Sequence, residues 1–172
     1  MIHFQEKKYP HLKLIFSKKN TTIDIIAALI QLRIPLSETD RNNWEFVVSE
    51  LVFNSIRASR ERKKDEKIQL KVRIDENYFT TVIMDGAGGF DIRKLPYDIY
   101  EPAEKIDVFS EDFEHYRKKN HFMRYGLGLF SAKKYSDYFD IYMLDKHGRR
   151  MRFFDELKTY GTFIIFKKKL RS

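Results

Sequence analysis

Apolar and polar positions along the chain change period several times, and each change marks an element. Residues 12–16 alternate and predict a strand. Thr21 followed three residues later by Asp24 has the form of a helix start, a hydroxyl and a carboxylate placed to satisfy free amides. The helix it predicts runs through IIAALIQL and stops near Pro35. Ser37, Glu38, Thr39 and Asp40 open a second, longer helix. Its apolar positions Trp44, Val47, Val48, Leu51, Val52 and Ile56 keep the helical period and put it at the centre of the fold. Residues 68–74 and 78–84 are rich in β-branched and aromatic side chains and flank Asp75, Glu76 and Asn77, which predicts a hairpin. The second strand runs into DGAGGF at 85–90. Residues 91–124 are polar and weakly periodic, with a short helix expected near 111–118, and exceed the usual connection, so function or mobility is expected of them. RYGLGLFSAKKYSD is a glycine-rich entry to a helix. Strands are expected at 138–144, 150–155 and 161–168, the first two joined by a turn at 145–148. These elements predict an α/β two-layer sandwich of about three helices and one mixed, largely antiparallel sheet.

Composition narrows the chemistry. With 172 residues, 42% hydrophobic and 34% charged, residues 1–172 are expected to form one domain with a core that needs no staples. The absence of cysteine excludes disulfides, thiolate metal sites and a cysteine nucleophile. The five histidines are scattered without the spacing of a zinc site, so a metal held by protein ligands alone is not expected. The N-terminus lacks the apolar core of a secretory signal, and no apolar run approaches the roughly 18 residues that cross a bilayer. A cytoplasmic location with no membrane partner is therefore expected. The formal charge is +8, with basic stretches at 57–73 and in the tail, and an acidic stretch at 98–114 that holds seven acids. The basic runs are interrupted and accompany no DNA-binding helix signature. They read as solvated faces of mixed charge, and nucleic acid is not expected as a partner.

Three local features carry chemistry. Glu50 and Asn54, four residues apart in FVVSELVFNSIR, share one side of a helix with Arg57 a turn further on. They either face solvent or, if buried, each require a partner. Asp85-Gly86-Ala87-Gly88-Gly89-Phe90 follows a strand. It is either a tight surface turn or a place where a ligand approaches the backbone, with Asp85 accepting hydrogen bonds from an amine. Gly126-Leu127-Gly128-Leu129 stands before a helix, where amides freed from side-chain bulk can cradle phosphate, although glycines are common in any loop. Neither a P-loop nor a Rossmann glycine pattern occurs.

Taken in order, these motifs, followed by Gly161-Thr162 on a late strand, resemble the GHKL ATPase superfamily over about residues 12–168. A Glu four residues before the Asn is most similar to the anti-sigma-factor serine kinases. The resemblance implies a Bergerat ATP-binding fold that uses ATP and Mg²⁺. Asp85 would hold the adenine amino group, with Ala87 and Gly89 beside the base. Asn54 would complete Mg²⁺ coordination, and Glu50 would be the general base. Arg57 falls where a phosphate-facing Lys is common. Gly126, Leu127, Gly128 and Leu129 match the box around the phosphates, with Arg124 just before it, and Thr162 matches a hydroxyl near the adenine pocket. Residues 91–124 become the ATP lid. Two positions depart from the family pattern. Ala87 replaces a glycine, where a Cβ at positive φ would cost about 1–2 kcal/mol, and Ala58 replaces a His or aromatic residue.

The implied function is a protein serine/threonine kinase that acts in partner switching. Its partners would be a regulatory protein of the anti-sigma-factor-antagonist kind and a sigma factor, and a homodimer stays open. Three alternatives remain. One is a stand-alone catalytic domain of a split histidine kinase, which would need a partner to supply the phosphoacceptor. Another is a non-catalytic, ATP-gated protein-binding module, a reading that Ala87 keeps open. The last is a nucleic-acid binder that uses the basic segments, for which salt-dependent affinity for DNA without ATP is expected.

Overall fold

A computed structural model describes residues 1–119 and 126–170. Alternation in six segments builds a six-stranded sheet from β3 (His11–Phe16), β4 (Ile68–Ile74), β5 (Tyr78–Asp85), β6 (Tyr138–Leu144), β7 (Arg150–Met151) and β8 (Gly161–Lys169). The spatial order is β3-β4-β5-β8-β6-β7, and each of the five neighbouring pairs is antiparallel. The expected mixed character is therefore absent from these pairings. β5 and β6 run the same way, but β8 lies between them, so the connection that joins them never makes a parallel ladder.

Along β4, Ile68, Leu70 and Val72 are buried while Gln69, Lys71 and Arg73 face outward. The buried parity packs on three helices, α1 (Thr22–Ile30), α2 (Glu38–Glu61) and α4 (Leu127–Tyr135), to form one apolar cluster. A shorter helix, α3 (Glu111–Lys119), and two 3₁₀ turns at Ile92–Lys94 and Ala103–Lys105 occupy the segment expected to be polar and irregular. That segment is anchored: Ile92, Ile99 and Phe113 are buried, and the Tyr97 and Phe113 rings stack 6.0 Å apart. Its residues 120–124, Arg124 included, lie outside the described residues. Among the described residues no helix is long and apolar enough to cross a membrane.

Both expected helix starts are present. Thr21 and Asp24 form a reciprocal capping box on α1, and the Ser37 hydroxyl accepts from the Asp40 amide at 3.1 Å on α2. The buried stripe of α2 runs Trp44, Val47, Val48, Leu51, Val52, Ser55, Ile56, Ser59, so it becomes hydroxylic as the helix nears the end of β5. Trp44 fixes the other end of α2. Its indole N–H donates to Thr81 Oγ1 at 2.8 Å within the core, and its ring meets Phe79 edge to face at 5.5 Å.

Two further features differ from the sequence expectation. The strand expected at 150–155 stops at Met151. β7 has a partner on one side only, and the chain then turns through Asp155, whose amide donates to Thr159 Oγ1 at 2.9 Å. An N-terminal hairpin of β1 (Ile2–Phe4) and β2 (Lys7–Tyr9) has no turn signature, because Gln5 and Glu6, neither of them glycine, adopt φ of 48° and 66°. Fully buried Ile2 and two backbone bonds between His3 and Arg33 hold this hairpin to the body.

The Trp44–Thr81 bond gives a stability test. Thr81→Val keeps the shape but leaves the indole N–H buried without an acceptor, and is expected to cost about 1–3 kcal/mol. The midpoint of urea unfolding measures it. Trp44→Phe in the Thr81→Val background is expected to add less than Trp44→Phe does in the native chain, since both polar groups are then gone.

Candidate functional site

A cavity of about 690 Å³ opens between the C-terminal half of α2, the end of β5 and the start of α4, within the size range of small-molecule sites. Asp85, the last residue of β5, is only 8% exposed. Its Oδ2 accepts from Ser55 Oγ at 2.8 Å and from Thr162 Oγ1, and its Oδ1 accepts from the Ala87 amide at 2.9 Å. Each donor follows from local structure. Ser55 lies on the buried stripe of α2, Thr162 is the cross-strand neighbour of Asp85, and Ala87 is two residues into the turn. A carboxylate offers about four acceptor positions, so three are taken by the protein and one is left for a ligand.

The turn after Asp85 resolves the question raised by Ala87. Positive φ falls on Gly88 (93°) and Gly89 (61°), not on Ala87. The Cβ of Ala87 therefore sits on ordinary backbone, and the expected strain is absent. The Gly88 amide donates to Tyr160 O at 2.7 Å, and Arg62 Nη1 donates to both Ala87 O (2.5 Å) and Gly89 O (2.7 Å). One guanidinium thus clamps the turn to the end of α2.

On the opposite side, Gly126 begins α4 at φ 86° with no side-chain cap. The first helical bond is Phe130 N to Gly126 O, so the amides of residues 127–129 have no acceptor within the helix. Gly128 owes its identity to packing, since a Cβ there would lie 3.3 Å from both Glu50 Cβ and Leu51 Cδ2. α4 is thereby drawn tightly against α2. The Tyr97 hydroxyl donates to Gly126 O. Burial, aided by nearby Tyr116, raises the Tyr97 pKa strongly, so the phenol stays protonated as a donor. Asp91, on the cavity wall, is held below the usual carboxylate range, chiefly by its bond from the Arg93 side chain.

Of the residues singled out from sequence, Asn54, Asp85, Ala87, Gly89, Gly126, Leu129 and Thr162 line this cavity. Glu50, Arg57, Leu127 and Gly128 are near it but do not line it. Arg57 turns toward its own helix, donating to Asn54 Oδ1 at 3.2 Å and lying 3.8 Å from Glu61. Arg124 lies outside the described residues. Sequence reasoning missed Ser55, Arg62, Lys94 and Lys119 on the wall. Ser55 carried a signal, a hydroxyl that extends an apolar stripe next to Asn54. Arg62 was hidden in a basic run read as solvated, yet Arg60 and Arg62 both bond to other parts of the chain, Arg60 to the carbonyls of Lys18 and Asn20 and Arg62 to those of Ala87 and Gly89.

Among the described residues no group of three or more His, Asp or Glu could hold a metal ion. Mg²⁺ needs no such cage where phosphates and water supply most of its oxygens. Asn54 suits the single protein ligand of such an arrangement. It lines the cavity, and its carbonyl oxygen has two lone pairs, one of which meets Arg57.

A two-layer sandwich with its cavity between the central helix and a strand-end turn is the architecture of a GHKL-type ATPase domain. The family model of the histidine kinase-like ATPase domain matches residues 19–153, and the chain belongs to that family. ATP binding comes with membership. Comparison with curated proteins finds no match.

The turn geometry predicts opposite outcomes for neighbouring residues. Gly88→Ala is expected to destabilise by at least about 1–2 kcal/mol, the penalty of a Cβ at positive φ, because that Cβ would also lie 2.6 Å from Arg62 Nη1. Ala87→Gly, which restores the residue usual in the family, is expected to gain nothing and to lose about 0.4–1 kcal/mol through the unfolded chain. Urea denaturation of the two variants checks both.

Proposed function

We propose that the chain is a protein serine/threonine kinase of the anti-sigma-factor type. It would act in the cytoplasm by phosphorylating a regulatory partner of the antagonist kind, with a sigma factor as the alternate partner. One observation carries this reading furthest: a nearly buried carboxylate with one acceptor position left faces, across a single cavity, the free amides of a glycine-capped helix, with Asn54 on the wall between them.

In this reading the remaining lone pair of Asp85 takes the exocyclic amine of adenine. The phosphates lie toward the start of α4, where amides and the cations Lys94 and Lys119 offset their charge. Bound Mg²⁺ would neutralise phosphate charge, and Asn54 would give it one oxygen. Glu50, one turn before Asn54 on α2, takes the proton of the partner's hydroxyl. That oxygen forms its bond to the γ-phosphorus as the bond to the bridging oxygen breaks, and ADP leaves. Residues 91–119 reach the cavity through Asp91, Lys94, Leu95, Tyr116 and Lys119, which supports a lid role for the segment.

A second reading, the ATP-gated protein-binding module without transfer, is favoured by one observation: Glu50 stands beside Gly128 rather than among the described residues that line the cavity.

Titration calorimetry with Mg-ATP and Mg-ADP tests the shared part. Asp85→Ala is expected to lower affinity at least tenfold, the loss of a charge-assisted bond worth about 1.5–3 kcal/mol. If neither nucleotide binds the native chain, both readings fall.

Catalysis is tested separately. Asn54→Ala is expected to weaken Mg-ATP binding, whereas Glu50→Gln leaves binding nearly intact and lowers single-turnover transfer to a co-purified partner by about 10²–10⁴-fold. Acid-stable phosphate on that partner supports a serine or threonine acceptor, and acid-labile phosphate a histidine. Nucleotide binding with no transfer by the native chain leaves the binding-module reading.

A further inference from the structure

We propose that the open face of the sheet, on the side away from the helices and the nucleotide cavity, binds single-stranded nucleic acid. Strand alternation creates this face. Where Ile68, Leu70 and Val72 of β4 are buried under α2, Lys71 and Arg73 point the other way and are exposed. Registration across the sheet gathers outward residues from distant parts of the chain. Lys13 lies opposite Lys71, Lys71 opposite Val82, Val82 opposite Ile165, and Ile165 opposite Asp140.

Charge on this face is mostly positive. Lys13, Lys71, Arg73, Arg150, Arg152, Lys167 and Lys169 are basic, and Asp140 is bonded to Arg152 at 2.5 Å. Asp75, in the turn after β4, is held below the usual carboxylate range by the Tyr78 and Asn77 amides, with the charges of Arg73 and Lys167 adding to the effect. Seven basic groups thus stand against two acidic ones.

Rings lie among these cations. Tyr78, Tyr138 and Tyr142 occupy outward positions on β5 and β6, and Phe163 of β8 shares their parity but is only 6% exposed, covered by Arg150. Lys167 Nζ is 5.7 Å from the Tyr78 ring and 5.2 Å from that of Tyr138. The Arg150 guanidinium is 3.8 Å from the Phe163 ring, and that of Arg152 is 4.4 Å from Tyr142. Aromatic rings and guanidinium planes are stacking surfaces for unpaired bases, and cations beside them take the phosphates.

This chemistry chooses among polyanions. An acidic protein segment would use the charge but not the rings. A duplex keeps its bases stacked inside and would use the charge alone. A second copy of the same face would bring like charges together. Lys71, Arg73, Lys167 and Lys169 belong to the basic stretches of the sequence, but only strand pairing and parity bring them together with Lys13 and Arg150 on one face.

Fluorescence anisotropy tests the proposal on the full chain, with labelled oligothymidylate and oligouridylate of about 20 nucleotides, a duplex of equal length, and polyglutamate. A single strand is expected to bind at least about tenfold more tightly than duplex or polyglutamate, with affinity that falls steeply from about 50 to about 200 mM salt. Tyr138→Ala, at a ring 44% exposed, is expected to weaken binding about fivefold or more. Lys71→Gln with Arg73→Gln is expected to reduce the salt slope by about 1.4, or about 0.7 for each phosphate no longer neutralised. All of these positions lie on the face away from the cavity, so each variant is expected to bind Mg-ATP as the native chain does, which also verifies folding. The proposal is overturned if neither oligonucleotide binds, if polyglutamate or duplex binds as tightly as single strand, or if the folded variants match the native chain.

Discussion

A buried carboxylate must have donors, and the need of Asp85 for them organises this molecule. A carboxyl group in a core is tolerated only when hydrogen bonds replace the water it has lost. Here the donors come from three places: Ser55 on the central helix, Thr162 on the adjacent strand, and the amide of Ala87 in the turn that follows. Each bond fixes one structural element relative to the others. The helix is held at one rotation about its axis, the β5–β8 register brings Thr162 opposite Asp85, and the turn must bend back so that an amide reaches its own strand end. The glycines at 88 and 89 take the backbone angles of that bend, which leaves position 87 free to carry a side chain.

Arg62 completes this arrangement from the other direction. Its guanidinium takes the carbonyls of Ala87 and Gly89, so the turn is bonded at its amide by Asp85 and at its carbonyls by the end of α2. The wall of the cavity is consequently a cross-linked structure rather than a free loop. Across from it, contact of Gly128 with Glu50 and Leu51 sets how closely the two helices approach and hence how wide the cavity is.

Much of this could be read from sequence, for physical reasons that differ by element. The central helix was legible because Trp44, Val47, Val48, Leu51, Val52 and Ile56 repeat at the helical period over several turns behind a capping serine. The β4–β5 hairpin was legible because β-branched and aromatic residues crowd both sides of an Asp-Glu-Asn turn. Asp85 and Gly126 were legible through motif order, and both line the cavity. Arg62 was not, since an arginine that donates to backbone carbonyls leaves no pattern in its neighbours. The N-terminal hairpin escaped notice because three-residue strands are too short to show a period, and the short reach of β7 because an edge strand ends wherever its one partner ceases to hold it. The basic stretches were visible in the sequence, but their gathering with Lys13 and Arg150 on one face of the sheet was not, since those residues are adjacent in register and remote in sequence.

The N-terminal hairpin carries a consequence for engineering. Gln5 and Glu6 both sit at positive φ, where residues with a Cβ are disfavoured, and two-residue hairpin loops of that kind favour Asn followed by Gly. The loop closes because Ile2 is buried and His3 is paired with Arg33, so tertiary contacts impose a shape that the local sequence resists. Such a mismatch is unused headroom. It lies in a two-stranded sheet separate from the strand that carries Asp85, and a turn rewritten there would make the molecule more robust without altering the cavity it serves.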